Sequence, residues 1–491
     1  MIRLTASDFY SFYRPSKCNG RIYLKRIGEE EAPPGPFEEV LERLGERHER
    51  QHLETLGTFS DISVGNIDDR VRETIKQIKG RAPVLYQGLL MAKCFLGGVE
   101  CEITGEPDFL IFEGNGYVIR DSKLSLRITE KDHPEIFRQL ELYGWLYEQM
   151  FGRSPLRLEV HSGNNDIVGL PYDKGVAALD LLQKLLAIKQ SRSEVYDPVG
   201  WSKCNGCSFN RRCWPLAEKN LDVAIIPGVD QGLAIALHKE GVESINELLS
   251  KFDENRLAEF KRPWGDRIQR VGRKAESIFR MAECIAEAKE IILNTPKIPN
   301  CANYVMFDLE GLPPHLDELE KIYLWGIQVF GEEQGKYVPA VAGFGEKGDA
   351  EGWKTFLTNA QIILSKYPAI PFVHWHHYER VRIDMYIERY GDPEGIATRV
   401  RENLLDLLPI CQNSIALPVP SYSLKVVERY AGFKRTQDEY GGEWAMAKYI
   451  EAVETEDVSD RDKLMGEILK YNREDLEATW YVFKWLKSKK K

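Results

Sequence analysis

No apolar run in these 491 residues approaches the length needed to cross a bilayer, and the opening MIRLTASDFY has no signal-peptide core. A membrane partner is therefore not expected, and a cytoplasmic location is. Cysteine is sparse and odd in number, with nine in the chain. In a long chain expected to be intracellular, that argues against a disulfide framework and for metal or cluster ligation. A positive balance is missing too. The formal net charge of −10 is not that of a passive nucleic-acid coat. It still allows an acidic catalytic site in which bound metal ions restore positive charge. The one dense basic run is Lys484 to Lys491, expected to be a solvated, frayed end. The remainder is ordinary: 43% hydrophobic and 29% charged residues suit a globular chain, and its length calls for two or three domains.

The stretch GEPDFLIFEGNGYVIRDSK, Gly105 to Lys123, reads as strand, Gly114-Asn115-Gly116 turn and strand. Asp108 opens the first strand and Asp121 closes the second, so an antiparallel hairpin sets them side by side. Asp121 and Lys123 alternate onto one face. Two carboxylates with an ammonium beside them suit magnesium or manganese, with the lysine positioned to stabilise phosphate charge or orient a water. The competing reading is an exposed hairpin with solvated charges.

Near the end of this half, WSKCNGCSFNRRCWP places Cys204, Cys207 and Cys213 in a C-x2-C-x5-C pattern. A fourth thiolate is needed to close a site. Cys18, in SKCNGRIYLKR, has a similar polar and basic setting, whereas Cys94 and Cys101 flank apolar strand-like sequence. Four thiolates suit either a 4Fe–4S cluster or structural zinc, and the spacing does not choose between them. His48 lies on a charged helix, and Gln139 and Tyr143, four apart on an amphipathic helix, share a face. A surface histidine and core-edge residues are the plainer readings of all three.

Taken in order, Gly-x-x-His-Glu, Gly-x-Pro-Asp, Asp-x-Lys, Gln-x3-Tyr and the cysteine cluster resemble the RecB-like PD-(D/E)XK nucleases. The likeness is to the iron–sulfur branch that includes CRISPR-associated exonucleases, over roughly residues 5 to 216. The resemblance implies a restriction-endonuclease-like mixed sheet with flanking helices. It further implies His48, Asp108 and Asp121 as metal ligands, Lys123 as catalytic lysine, and Gln139 and Tyr143 along the DNA track. The acid of Asp-x-Lys is aspartate where glutamate also occurs.

From Val223, VAIIPGVDQGLAIALHKEGVESINELL reads as a helix-hairpin-helix, with Pro227-Gly228-Val229 at the turn and Ala234 and Leu237 facing a core. Gly228, Val229 and Gly232 would then offer backbone to phosphates. A helical spacer is the equal alternative. RIQRVGRKAESIFRMAECIAEAKEII is expected to be a further helix with basic residues on one face, and Asn294 to Asn300 a linker.

The last part opens on a buried strand, Tyr304 to Glu310, ending in Asp-x-Glu with both acids on one face; KIYLWGIQVF is its expected antiparallel partner. FVHWHHYERV, ENLLDLLP and Tyr471-Asn-Arg-Glu-Asp475 follow. The succession resembles ribonuclease-H-like DEDD exonucleases of the YprB type over roughly residues 300 to 488. That resemblance implies two metals held by Asp308, Glu310, Glu379 and Asp475, with Tyr471 as the tyrosine of its subclass, hydrolysing from the 3′ end. Glu379 stands where aspartate is usual and His376 where asparagine is usual. Asp406 is read as structural, and Asp384 as the substitute should Glu379 lie apart.

The expectation is an α/β multidomain chain in three parts: a RecB-like nuclease domain at 1–218, a helical hairpin module at 219–295 and a ribonuclease-H-like α/β domain at 300–491. It would cut single-stranded or end-containing DNA, with RNA open for the last domain. Two alternatives remain: only the first domain cuts while the last binds or scaffolds, or the chain is a non-catalytic subunit assembling with a helicase or CRISPR integration machinery.

Overall fold

The computed structural model describes residues 2–265, 267–317, 319–437 and 441–491. Two compact units emerge, Met1–Pro34 with Glu38–Trp214 and Gly35–Phe37 with Pro215–Lys491.

The first unit holds β1 (Ile2–Thr5), β2 (Ser60–Asp61), β3 (Val84–Tyr86), β4 (Leu90–Leu96), β5 (Val99–Gly105), β6 (Phe109–Glu113), β7 (Gly116–Ser122), β8 (Leu158–His161) and β9 (Ile167–Leu170). Six of them form a mixed sheet in the order β2-β3-β6-β7-β8-β9, and β1-β5-β4 form a second sheet. Strand β7 is buried along its whole length, antiparallel to β6 and parallel to β8. Its YVI run is what a strand covered on both faces requires. The expected hairpin forms with a two-residue turn, but only Gly114 takes a positive φ (+54°); Asn115 and Gly116 do not. A glycine at the first central position is enough to match the strand twist. Pro134 starts and Gly152, at φ +67°, ends the Pro134–Phe151 helix. This helix drives Leu140, Leu142, Leu146 and Tyr147 into the core without residual exposure. Gly105 is required there: a Cβ would stand 2.6 Å from the Tyr143 ring.

The second unit begins with short helices, Gln231–Lys239, Ile245–Lys251 and Glu254–Glu259, and the expected core positions Ala234 and Leu237 are fully buried. Next comes a hairpin of β10 (Lys261–Trp264) and β11 (Arg267–Arg270), then the Lys274–Ala286 helix. The helix expected from Arg267 therefore starts seven residues later. Pro263 lacks an N–H, and Gly265 and Gly272 take φ of +57° and +63°, which interrupts helical geometry on both sides of β11.

Strands β12 (Ile291–Ile292), β13 (Asn303–Leu312), β14 (Lys321–Gly331), β15 (Val338–Val341), β16 (Phe372–His374), β17 (Leu404–Asp406) and β18 (Ile415–Ala416) complete the unit. Five of them run in the order β15-β14-β13-β16-β17, with β13 antiparallel to β14 and parallel to β16. The long Val458–Ser488 helix packs on β13 and β14. Two expectations are corrected. The segment around Asn294 is tied to the fold through β12–β18 pairing and an Asn294 side-chain bond to the Asn413 carbonyl, rather than hanging as a linker. The basic tail is helical to Ser488, and Lys487 and Lys489 bond to Asn300 and Glu290. Among the described residues no helix is long and apolar enough to cross a membrane.

Candidate active site

In the second unit, β13 presents Asp308 and Glu310 two residues apart, hence on one face. The Val458–Ser488 helix brings Asp475 against them. Ligand oxygens of these three acids lie within 4.8 Å of one another, the one such group of three among the described residues. Burial, then the charges of Asp475, Glu310 and Glu379, push the Asp308 carboxyl well above its ordinary range. Burial and Asp475 push Glu310 up to about 8. Such crowding is unfavourable unless cations answer it.

Asn472, not singled out from sequence, donates from Nδ2 to Asp308 Oδ2 at 2.7 Å and accepts from the Tyr337 hydroxyl at 2.7 Å. It fits because Gly326 faces Asp308 across the ladder; a Cβ at 326 would fall 1.8 Å from Asn472 Oδ1. Arg435 pairs with Glu428 at 2.6 Å and also with Asp475. Tyr471, one turn from Asp475, is buried and accepts from Lys425 Nζ at 2.9 Å. Burial and then Asp475 hold its phenol well above the usual range, so it stays protonated.

Glu379 is buried and close enough to Asp308 and Glu310 for its charge to raise both. Its Oε2, however, lies 3.1 Å from His374 Nδ1, which also meets the His376 carbonyl at 2.6 Å, and Glu379 stands outside the group of three. His376 takes φ +82°, its N–H held by Asp406 Oδ1 at 2.9 Å. Asp406 also caps the Leu407–Ser414 helix, a structural task. Asp384 pairs with Arg401 at 2.9 Å, away from the acids.

In the first unit, Asp108 and Asp121 sit side by side: the Asp108 N–H donates to Asp121 Oδ1 at 3.1 Å and the Ser122 N–H to Asp108 Oδ2 at 2.7 Å. Lys123 Nζ lies 3.0 Å from Asp121 Oδ2. Burial and then Asp121 raise the Asp108 carboxyl well above its ordinary range. Burial opposes charge on Lys123, yet Asp121 and Asp108 carry its ammonium above the usual range. Gln139 Nε2 donates to the Tyr143 hydroxyl at 2.8 Å, and Tyr143 feels the charge of both aspartates. Glu49, next to His48 and unassigned from sequence, adds its charge to Asp108 and Lys123. His48 stacks on His161 at 4.4 Å, its Nε2 buried without a partner, and it does not join both aspartates within 4.8 Å.

The four cysteines Cys18, Cys204, Cys207 and Cys213 are all free. Burial first, with neighbouring thiols adding to it, raises Cys204 and pushes Cys18 up to about 12 and Cys213 to about 11. No three of their sulfurs lie within 4.8 Å of one another. In the hairpin module Gly228 takes φ +93°, Val229 is buried, and a Cβ at Gly232 would stand 2.2 Å from the Pro263 carbonyl of β10. Val229 is thus a covered position, and Gly232 lies half-buried under β10.

Residues 305–487 match a family model described as RNase_H_2, of the RNase_H superfamily. The C-terminal part is accordingly RNase H-like, a likeness that supports a nuclease or hydrolase in general terms. A solved structure titled "Crystal structure of SSO0001" aligns with 35% of this chain and 95% of its own at 14% identity, with a TM-score of 0.19, too low to bear on the fold. No curated protein matches the sequence.

Proposed function

We propose that this chain is a metal-dependent nuclease with two sites, in three parts spanning 1–218, 219–295 and 300–491. The observation that carries the reading is the trio Asp308, Glu310 and Asp475 on an RNase H-like domain. The donor set fits magnesium or manganese: three hard carboxylates with their oxygens converging, Asp308 and Glu310 both pushed up by burial and by the charge of Asp475. Such ions, when bound, supply Lewis acidity and bring water toward hydroxide near neutral pH. The chain's own residues do the rest. Asn472 fixes the Asp308 carboxylate by its amide bond. Lys425 orients the Tyr471 oxygen, leaving the phenolic proton to face Asp475 and a water or phosphate oxygen beside it.

The first-unit site is read as the RecB-like centre, with Asp108 and Asp121 as ligands and Lys123 as the phosphate-facing cation. The buried His48 Nε2 and Asp121 Oδ2, neither with a hydrogen-bond partner, fit a divalent cation there, with Lys123 Nζ 3.0 Å from that Asp121 oxygen. Gln139 and Tyr143 line the substrate side. The four cysteines are read as ligands of a 4Fe–4S cluster. Four sulfurs on one zinc ion at about 2.3 Å would all stand about 3.8 Å apart, closer than these do as any group of three. Cys18→Ser should then lower both iron content and melting temperature; no change in either removes Cys18 as a ligand.

The substrate is read as single-stranded or end-containing DNA. The bond of Glu379 to His374 favours a second reading, in which the first site alone cuts. Cleavage of a labelled strand by wild type, Asp108→Asn, Asp308→Asn and the double variant, with manganese or chelator, separates them. Loss only in the double variant supports two sites, and loss with Asp108→Asn alone supports one. Undiminished metal-dependent cleavage by the double variant defeats the proposal.

A further inference from the structure

In a chain of net charge −10, residues 261–274, KRPWGDRIQRVGRK, carry six basic side chains and one acid. The described part of this stretch is the β10–β11 hairpin, whose register sets Lys261 opposite Arg270, Pro263 opposite Ile268 and Trp264 opposite Arg267. Residues paired across the ladder share a face. One face therefore shows Lys261, Arg270 and Ile268, the other Trp264 and Arg267 over the buried Arg262. Trp264 is 50% exposed and Ile268 68% exposed. Every residue of β11 is exposed.

A two-stranded hairpin this polar is not held by a core of its own. It is held by its base: Arg262 pairs with Asp230 at 2.9 Å, the Val271 N–H donates to the Phe260 carbonyl, and β10 packs over Gly232. Folding thus presents its outer side chains without using them. Like charges directly opposed across a ladder, as Lys261 and Arg270 are, destabilise it. Arg270 meets Glu259 at 2.8 Å, and that pair is exposed. An exposed indole among exposed cations is the composition that tracks a phosphate backbone while stacking a base.

The hairpin also adjoins a cleft of about 490 Å³ lined by Pro227, Gly228, Arg273, Lys274, Gln412 and Asn413, among others. Lys274 joins the two, lining the cleft while its Nζ stands 5.7 Å over the Trp264 ring. We propose that the β10–β11 hairpin is a single-strand-binding wing: Trp264 stacks on a base and Arg267 contacts a phosphate on that face, Arg270 and Lys261 contact phosphates on the other face as the strand wraps over the hairpin, and the strand runs past Lys274 into the cleft. The proposal rests on the nucleic-acid reading of the chain and names the surface, outside both acidic sites, that would hold the strand.

The test uses the full chain carrying Asp108→Asn and Asp308→Asn, so that the probe survives, and the anisotropy of a labelled oligothymidylate. Trp264→Ala should weaken binding about tenfold or more, as loss of one stacked base does, with an unchanged salt slope. Arg267→Gln with Arg270→Gln should weaken binding and reduce the slope of log affinity against log salt by about 1.4, two contacts at about 0.7 each. Melting temperature reports whether each variant folds, and Trp264→Phe, which keeps a ring, should recover most of the affinity should Trp264→Ala unfold. Binding by Trp264→Ala or Trp264→Phe and by the double arginine variant all within twofold of the parent overturns the proposal. Equal losses for the strand and for polyglutamate also overturn it, since the surface would then be a general polyanion patch. If the parent binds no strand and the wild type cuts none, the nuclease reading itself fails. Cutting that persists while the hairpin variants bind like the parent removes the wing alone.

Discussion

Replacing Asp308 by asparagine should make the metal-free protein more stable while removing its response to metal. The change keeps shape, and the amide oxygen it introduces can still accept from Asn472 Nδ2. What disappears is one negative charge from a cluster whose oxygens lie within 4.8 Å. At an effective dielectric constant of about 20, each such repulsion is worth about 3.5 kcal/mol, and Asp308 faces two of them. Most of that is already relieved. The Asp308 carboxyl is itself pushed well up, Glu310 at about 8 is largely protonated at neutral pH, and Arg435 pairs with Asp475. A net gain of about 1–3 kcal/mol remains, which for a unit of this size is a rise of roughly 2–10 °C in melting temperature. The sign with pH follows from Glu310. Its folded pKa is raised, so its neutral form contributes stability at low pH, and the wild type loses that contribution as pH climbs from about 4.5 through 8. Added magnesium or manganese should restore wild-type stability by mass action and leave the variant unmoved. Thermal melts in chelator and in metal, at pH 6 and pH 8, supply all four numbers. A variant less stable than wild type in chelator, or one whose melting point still rises with metal as the wild type's does, would refute the reasoning.

Gly326→Ala should damage the same site without touching an acid. Its Cβ would displace Asn472 and break the bonds to Asp308 and Tyr337, a loss of about 2–4 kcal/mol, read as a lower melting temperature together with weakened metal binding. Restored metal response in Gly326→Ala with Asn472→Ala would tie the effect to that contact. In the first unit, burial pushes Glu141 up to about 7, with the charge of Asp173 adding to it, even though Arg138 Nη1 lies 2.6 Å away. With its folded pKa raised, Glu141 contributes stability at low pH that is lost as pH rises from about 4.5 through 7. Glu141→Gln should therefore flatten the pH dependence of chemical denaturation over that window by on the order of 1–3 kcal/mol, and an unchanged slope would count against it.

Local pattern alone determined several features here. The apolar runs on either side of Gly114-Asn115 marked a hairpin, and that hairpin put Asp108 beside Asp121 with no long-range information. The two-residue spacing of Asp308 and Glu310, and the four-residue spacing of Tyr471 and Asp475, placed each pair on one face because strands and helices repeat at those periods. Tertiary structure decided what those pairs meet. Glu379 arrives from a separate helix and bonds to His374, a contact set by how β16 leads into the turn at His376 and not by any spacing. Asn472 was present in the quoted motif, but its role depends on the bare Gly326 opposite Asp308, 146 residues away. Strand β11 reads as the start of a basic-faced helix, and Pro263, Gly265 and Gly272 overrule that through backbone geometry while Asp230 and Gly232 anchor the hairpin. Periodicity is local and survives in a one-dimensional reading; ligand convergence and covered backbone arise only when distant segments compete for the same space, and that competition is resolved by packing.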